Sequence, residues 1–199
     1  MSYPIEALPG NRKKGGEPGR TILLDMDGVV ADFVSAACVL FGKDPRAEHS
    51  RLTSERGWNF FADWGYTPTD FWAGIDRAGE DFWIGIKPEP WASHLYDGLR
   101  TLAPVYFCSS AALTPSAWSG KIKWLREFVG IGHFNDVVLT THKHLLARPT
   151  NCLIDDNQDN IDAFERFGGK TILFPRLWNK RGNKGHPDEI IEEVRQWLA

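Results

Sequence analysis

The stretch TILLDMDGVVADF, residues 21 to 33, decides the fold of this chain. Its first four residues suit a buried strand, and the chain then continues directly into Asp25, Asp27 and Gly28. Burying a carboxylate without a partner is costly, so two acids one residue apart at the end of an apolar strand require a compensating group. The stretch therefore predicts a strand whose carboxyl end carries a charged site.

Length, charge and cysteine usage limit what kind of protein this is. The 199 residues suffice for one domain with a substantial core, or for one domain that carries an insertion. The formal net charge of -3 gives no basic field, which argues against binding to an extended nucleic-acid polymer. Cys38, Cys108 and Cys152 lie at irregular spacings among apolar neighbours, as reduced core thiols do, and indicate a cytoplasmic setting. No window approaches the roughly 18 apolar residues of a membrane span, so no membrane partner is expected.

Apolar runs that suit strands alternate with segments of helical periodicity. The predicted strands are 22–24, 105–108, 137–140, 152–154 and 171–174. The predicted helices are 33–41, 91–102, 118–129, 158–167 and 187–198. This alternation is typical of a parallel sheet covered by helices on both faces, and such sheets bind ligands at the carboxyl ends of their strands. We therefore predict an α/β fold with a three-layer, Rossmann-like sheet.

Polar side chains follow the predicted strands at or just after their carboxyl ends. They are Asp25, Asp27, Ser109, Ser110, Lys143, Asp155 and Asp156. If the strands are neighbours, these side chains meet in one crevice. Two unit charges about 4 Å apart repel by about 4 kcal/mol at an effective dielectric constant of about 20, so the clustered carboxylates need a cation. Oxygen ligands without nearby Cys or His suit Mg²⁺, which commonly bridges protein carboxylates to a substrate phosphate whose charge Lys143 and Ser109 would offset.

Four motifs resemble those of the haloacid dehalogenase-like (HAD) phosphohydrolases. DMDGVVADF is similar to their first motif, an apolar strand followed by DxDG, and VYFCSS, TTHKH and CLIDD supply the hydroxyl, the lysine and the acidic pair in the same order. Within this superfamily the chain is most similar to the 5'(3')-deoxyribonucleotidases, whose motifs read DMDGVLADF, CTSP, VLTRDK and LIDD. Two departures are Ser109 in place of threonine and Asn157 in place of a common arginine.

The resemblance implies a two-step phosphatase mechanism. Asp25 would attack phosphorus and form an aspartyl-phosphate, while Asp27 would protonate the leaving oxygen and then activate the hydrolytic water. Mg²⁺ would be held by Asp25, by the backbone carbonyl of Asp27, and by one or both of Asp155 and Asp156. The substrate would be a small phosphate ester of the nucleoside monophosphate class, and a homodimer would be in keeping with the family.

The resemblance also assigns the remaining site residues. Ser109, Ser110 and Lys143 would bind the phosphoryl oxygens. Phe33 matches the phenylalanine that ends the DMDGVLADF motif and would contact the nucleobase of the substrate. Gly28 would let the chain turn sharply after the two acids, where a Cβ would obstruct it.

The chain divides by character into three parts. Residues 1–19 combine Gly, Pro and basic side chains without periodicity and are predicted to be a flexible leader. Residues 20–42 and 88–199 carry the motifs and are predicted to form the HAD-like core. Residues 43–87 are rich in aromatic side chains and turn formers, and they interrupt the alternation where the superfamily inserts a small helical cap.

Several other functions and roles stay open from the sequence. The chain could act on sugar phosphates or nucleic-acid ends, or it could be a non-catalytic nucleotide binder that kept the fold. Asp32 has the position of a helix cap, and His142 and His144 of surface residues rather than metal ligands. Trp178, which follows the fifth predicted strand, would either line the rim of the site or belong to a plain loop.

Overall fold

The computed structural model describes residues 19–55, 57–112, 114–130, 136–182 and 186–199. The predicted leader therefore lies outside the described residues, apart from its last position. Within the described residues one sheet contains five strands, all parallel, in the order β3-β2-β1-β4-β5. The strands are β1 (Thr21–Leu24), β2 (Val105–Ser109), β3 (Val137–Leu139), β4 (Asn151–Asp155) and β5 (Lys170–Leu173). The predicted three-layer, Rossmann-like fold is confirmed.

The central strand β1 is buried on both faces. Ile22 and Leu24 point into the larger hydrophobic core on one face, and Leu23 points into a smaller core on the other, where it meets Cys108. Burial on both faces explains why β1 is a continuous apolar run rather than an alternating pattern. The three cysteines are buried and unpaired, as expected for core thiols.

Helices cover the sheet and also fill the long connection between β1 and β2. They are α1 (Phe33–Leu40), α2 (Pro45–His49), α3 (Pro68–Ala78), α4 (Glu80–Gly85), α5 (Ala92–Arg100), α6 (Pro115–Val129), α7 (Gln158–Arg166) and α8 (Pro187–Leu198). Among the described residues, two short 3₁₀ helices span Phe60–Trp64 and Lys143–Leu146. The side chain of Asp32 accepts a hydrogen bond from the backbone N–H of Ser35 (3.1 Å), so the predicted capping role of Asp32 at the start of α1 is confirmed.

The buried face of α6 differs from the predicted one. The helical spacing of Trp118, Ile122, Leu125 and Val129 predicts an apolar stripe that includes Trp118, but this side chain is 42% exposed. Leu125 is buried as predicted, and the other buried positions are Ala117, Gly120, Lys121 and Trp124. On this buried face Gly120 lies against Trp83 of α4, where a Cβ would collide, so the face that α6 presents to α4 is the one that carries its glycine.

The chain leaves the sheet region after β1, near Asp32, and returns to it before α5, near Lys87. These two crossings lie side by side. The backbone N–H of Asp32 donates to the carbonyl of Lys87, and that of Glu89 donates to the carbonyl of Val30, both at 2.9 Å. The segment between these two crossings contains α1, α2, α3 and α4 but no strand among its described residues. None of the helices that the structure describes has both the length and the apolar character of a membrane span.

The sheet register aligns the ends of the strands that carry the polar motifs. Leu24 of β1 is paired with Phe107 of β2 on one side and with Ile154 of β4 on the other. The residues that follow these positions are therefore neighbours at the carboxyl edge of the sheet, where a ligand site is expected.

Candidate active site

Three buried carboxylates meet at the carboxyl edge of the sheet. Asp25 follows β1, Asp155 ends β4 and Asp156 follows it, and each offers an oxygen within 4.8 Å of those of the other two. The structure thus brings together residues that are 130 positions apart in the chain, as the alternating pattern predicts.

The ammonium group of Lys143 lies between two of these carboxylates. Its Nζ is 2.7 Å from Oδ1 of Asp25 and 2.6 Å from Oδ2 of Asp155, and the residue is only 2% exposed. Lys143 opens the short 3₁₀ helix that follows β3, which directs its side chain across the strand ends. Although burial opposes it, the carboxylates of Asp155 and Asp25 raise the pKa of Lys143 above its usual value. The lysine is therefore held in its charged form.

One lysine does not neutralise three carboxylates. Burial, together with the negative charge of Asp155, raises the pKa of Asp25 to about 7. Burial and the charges of Asp25 and Asp155 likewise raise the pKa of Asp156 well above its usual value. Ionised carboxylates in this arrangement require additional positive charge, and an all-oxygen ligand set of this kind suits a hard divalent cation.

The two aspartates of the acidic pair differ in how their oxygens are used. Both oxygens of Asp155 accept hydrogen bonds: Oδ2 from Lys143, Oδ1 from the backbone N–H of Asn157 (2.9 Å), and both from the side-chain amide of Asn160. In Asp156, Oδ2 accepts from the indole N–H of Trp178 at 2.6 Å. Its Oδ1 is buried and has no hydrogen-bond partner among the described residues. Such an orphaned oxygen is the group that a bound cation would satisfy.

The second acid of the DxD motif is held by a lysine that the sequence interpretation missed. Nζ of Lys121 donates to Oδ2 of Asp27, to Oγ of Ser109 (2.9 Å) and to the carbonyl oxygen of Ser110 (2.5 Å). Oδ1 of Asp27 is buried and, within the part of the chain that the structure describes, has no partner. Lys121 also lies 5.0 Å from the ring centre of Trp83, which belongs to α4.

The predicted phosphate-binding hydroxyls lie beside this lysine. Ser109 is fully buried at the end of β2, and its Oγ faces Lys121. The hydroxyl of Ser110 instead donates to the carbonyl of Thr140 at 3.3 Å. Both serines are therefore at the same edge of the sheet as the carboxylates.

Gly28 occupies a position where a Cβ would be obstructed, as its place after the two acids predicts. Its φ is +76°, and a Cβ at this position would collide with Oδ2 of Asp156. The DxDG turn and the acidic pair are thus in direct contact, which only glycine allows.

Phe33 lies apart from this group of polar residues. It is 1% exposed, and its ring packs against five aromatic rings from the segment between the two crossings, with centroid distances from 5.7 Å to 6.4 Å. These rings belong to Trp58, Phe71, Trp72, Phe82 and Trp83. In this conformation the ring of Phe33 stabilises the aromatic cluster, and its contact with a nucleobase stays a prediction.

Lys121, Asn160 and Trp178 contact carboxylates of the site, and the sequence interpretation assigned none of these contacts. A lysine among the buried residues of α6 would have indicated the role of Lys121, but the predicted stripe contains Ile122 instead of Lys121. For Trp178, which was expected either at the rim of the site or in a plain loop, the structure shows a direct hydrogen bond to Asp156. His142 is exposed, in line with its interpretation as a surface residue.

Comparison with known proteins gives a consistent result. A family model described as 5' nucleotidase, deoxy (pyrimidine), cytosolic type C protein matches residues 20–186. A protein of Staphylococcus aureus (strain MSSA476) named "Putative 5'(3')-deoxyribonucleotidase" is 24% identical over 180 residues, which cover 89% of this chain and 91% of that protein.

Solved structures share the fold at low sequence identity. A haloacid dehalogenase-like hydrolase of Xanthomonas campestris superposes with a TM-score of 0.58 at 11% identity and covers 94% of both chains. The magnesium-bound HAD hydrolase YfnB of Bacillus subtilis superposes with a TM-score of 0.53 at 16% identity, covering 92% of this chain and 99% of that one. These similarities establish an HAD-type fold for the chain.

Proposed function

Because the chain belongs to the family of 5' nucleotidase, deoxy (pyrimidine), cytosolic type C proteins, and is thus a phosphoric monoester hydrolase of the 5'-nucleotidase type, we propose that it is a Mg²⁺-dependent 5'(3')-(deoxy)ribonucleotidase. It releases phosphate from nucleoside monophosphates. The observation that carries this proposal is the group of buried carboxylates at the sheet edge, with an ammonium group among them. The name of the Staphylococcus aureus relative supports the same substrate class.

The donor set fits a magnesium ion. Asp25 and Asp156 would hold the ion together with the backbone carbonyl of Asp27, because the oxygens of Asp155 are already used by Lys143 and by backbone and amide groups. When bound, Mg²⁺ supplies the positive charge that offsets the carboxylates and the phosphate oxygens. The magnesium-bound relative of Bacillus subtilis supports this choice of metal.

The chemistry begins at Asp25, whose carboxylate attacks phosphorus as the bond from phosphorus to the ester oxygen breaks. Asp27 gives its proton to the departing oxygen. In the second step Asp27 takes a proton from water, the water oxygen attacks the phosphorus of the aspartyl-phosphate, and Asp25 is regenerated as inorganic phosphate leaves. Lys121 holds the carboxyl group of Asp27 in position between the steps.

The groups that bind the phosphoryl oxygens are Ser109, Ser110 and Lys143. Preorganised donors of this kind stabilise the negative charge that develops in the transition state. Oγ of Ser109 already accepts a hydrogen bond from Lys121, and Nζ of Lys143 is already paired with carboxylates. Both residues would therefore keep these contacts while they also bind the phosphoryl group.

Residues 43–87 act as a cap that closes over the site, whereas 20–42 and 88–199 form the core. Hydrogen bonds of Asp32 with Lys87 and of Glu89 with Val30 hold the segment that leads into α1 beside the segment that leaves the cap, an arrangement that suits a hinge. The docking of α4 on α6, next to Lys121, supports a cap that approaches the site from this side. The cytosolic description of the family and the three unpaired buried cysteines support a cytoplasmic location.

A phosphate-release screen tests the proposed function. We expect inorganic phosphate to be released from nucleoside 5'- or 3'-monophosphates in the presence of Mg²⁺ and not in the presence of a chelator. The panel includes sugar phosphates and 5'-phosphorylated oligonucleotides as rivals. Release from sugar phosphates alone would discard the nucleotidase assignment, and metal-independent release would contradict the proposed magnesium site.

A further inference from the structure

A hydrogen bond from Trp178 fixes the carboxyl group of Asp156. The indole Nε1 donates to Oδ2 at 2.6 Å, and both residues are buried. Gly28 touches the same oxygen so closely that it leaves no room for a Cβ. With Oδ2 enclosed in this way, the carboxyl group can present only Oδ1 to a ligand, and this is the buried oxygen without a partner.

The indole ring of Trp178 is buried against Trp58, with 5.6 Å between the ring centres, and it also borders a cavity of about 300 Å³ beside the crossing of the chain. The guanidinium group of Arg176 lies 4.4 Å from the centre of the Trp178 ring and 5.2 Å from that of Trp91. A planar guanidinium between two indole rings restricts the tilt of both.

Arg176 is in turn anchored at the crossing of the chain. Its Nη2 is 2.6 Å from Oε1 of Glu89, and both residues are only 6% exposed. The backbone N–H of Glu89 donates to the carbonyl of Val30, which belongs to the stretch that carries Asp25 and Asp27. The ion pair therefore connects the guanidinium group of Arg176 to the crossing of the chain.

We propose that Trp178 is a positioning residue for the metal ligand Asp156, and that Arg176 and Glu89 hold its ring in place. This inference rests on the proposed magnesium site. Groups that hydrogen-bond to metal-ligating carboxylates orient them, and their loss typically lowers metal affinity by about 10–100-fold. In this chain the donor comes from the loop after β5 rather than from the strands that carry the motifs.

The test is a calorimetric titration of metal-free protein with MgCl₂ in the absence of substrate. Trp178→Phe keeps an aromatic ring for stacking on Arg176 but removes the N–H donor. We expect its dissociation constant for Mg²⁺ to rise by about 10-fold or more, and its rate of phosphate release to recover at high Mg²⁺ concentration.

The matched control is Trp124→Phe. Trp124 is as buried as Trp178, at 4% exposure, and its Nε1 also donates a hydrogen bond, to the carbonyl of Ile86 at 2.7 Å. This variant loses a buried indole hydrogen bond of the same kind but should keep the Mg²⁺ affinity of the unchanged protein. Equal losses of affinity in both variants would overturn the inference.

A second variant covers the case in which Trp178→Phe does not fold. Arg176→Lys retains the charge opposite Glu89 but loses the planar group that stacks on Trp178, so a smaller loss of Mg²⁺ affinity is expected. Unaltered affinity in this variant, or in folded Trp178→Phe, would overturn the inference while leaving the proposed function intact. An unchanged protein that binds no Mg²⁺ would overturn both.

Discussion

Replacing Asp25 with asparagine is expected to reduce phosphate release from nucleoside monophosphates by at least about a thousandfold. The amide has nearly the same shape as the carboxylate but is not a nucleophile, so the aspartyl-phosphate cannot form. The fold should persist, because Lys143 still has Asp155 as a partner and one of the mutually repelling buried carboxylates is gone. Steady-state phosphate release and thermal unfolding measure the two effects.

The control for this variant is Asp32→Asn. Asp32 lies in the same stretch and caps α1, and asparagine caps a helix as well as aspartate does. This variant should retain its activity and its unfolding temperature. If Asp25→Asn kept activity within about tenfold of the unchanged protein, Asp25 would not be the nucleophile.

Replacing Lys143 with methionine is expected to lower stability and activity together. The change removes the ammonium group between Asp25 and Asp155 and leaves both carboxylates buried without it. Breaking a buried ion pair in this way costs about 3–5 kcal/mol, which corresponds to a fall of about 6–20 °C in unfolding temperature for a chain of this size. Phosphate release should fall by about a hundredfold or more, since the proposed mechanism uses Lys143 as a donor to the phosphoryl oxygens.

The stability loss in Lys143→Met should depend on pH in a defined direction. The pKa of Asp25 is raised from 3.8 to about 7, so the folded state favours the protonated form. The contribution of this group to stability is therefore fully present below about pH 4 and is lost as the pH rises through about 7. Metal-free Lys143→Met should consequently be more destabilised at pH 8 than at pH 5.

A double variant separates charge from shape at this position. Lys143→Met combined with Asp155→Asn removes one positive and one negative group, so it should recover much of the stability without recovering activity. An unfolding temperature for Lys143→Met equal to that of the unchanged protein at pH 8 would show that the ammonium group does not stabilise these carboxylates.

The sheet and the convergence of the motifs could be predicted because they follow from the chain's local pattern. Continuous apolar runs that alternate with helical periodicity require a parallel sheet, and parallel strands place their carboxyl ends on one edge. Asp25, Asp155 and Lys143 therefore had to meet, whatever their separation along the chain. The turn at Gly28 follows from the same strand ends.

Two contacts at the site could not be predicted because they depend on packing between distant elements. Lys121 reaches Asp27 from the buried face of α6, where the neighbouring Gly120 packs against Trp83 of α4. Trp178 reaches Asp156 from the loop after β5, where Arg176 lies near the rings of both Trp178 and Trp91. Neither arrangement leaves a periodic signal in the sequence.

The surroundings of Phe33 show a related limit. A match to a motif predicts where a residue lies along the chain, but not whether its ring faces a ligand or its own neighbours. Here the aromatic residues of the segment between the crossings enclose Phe33, because a small group of helices must build its core from large side chains.

The central claim is that Asp25 carries the phosphoryl group during turnover, and trapping that group tests the claim most directly. Protein mixed with a nucleoside monophosphate and Mg²⁺ is quenched in acid, treated with borohydride and mapped by mass spectrometry. Borohydride reduces an acyl phosphate to an alcohol, so we predict homoserine at position 25 in the substrate-treated protein and not in the untreated one. Phosphate release during turnover without any modification of Asp25, or with the modification at another carboxylate, would contradict the claim.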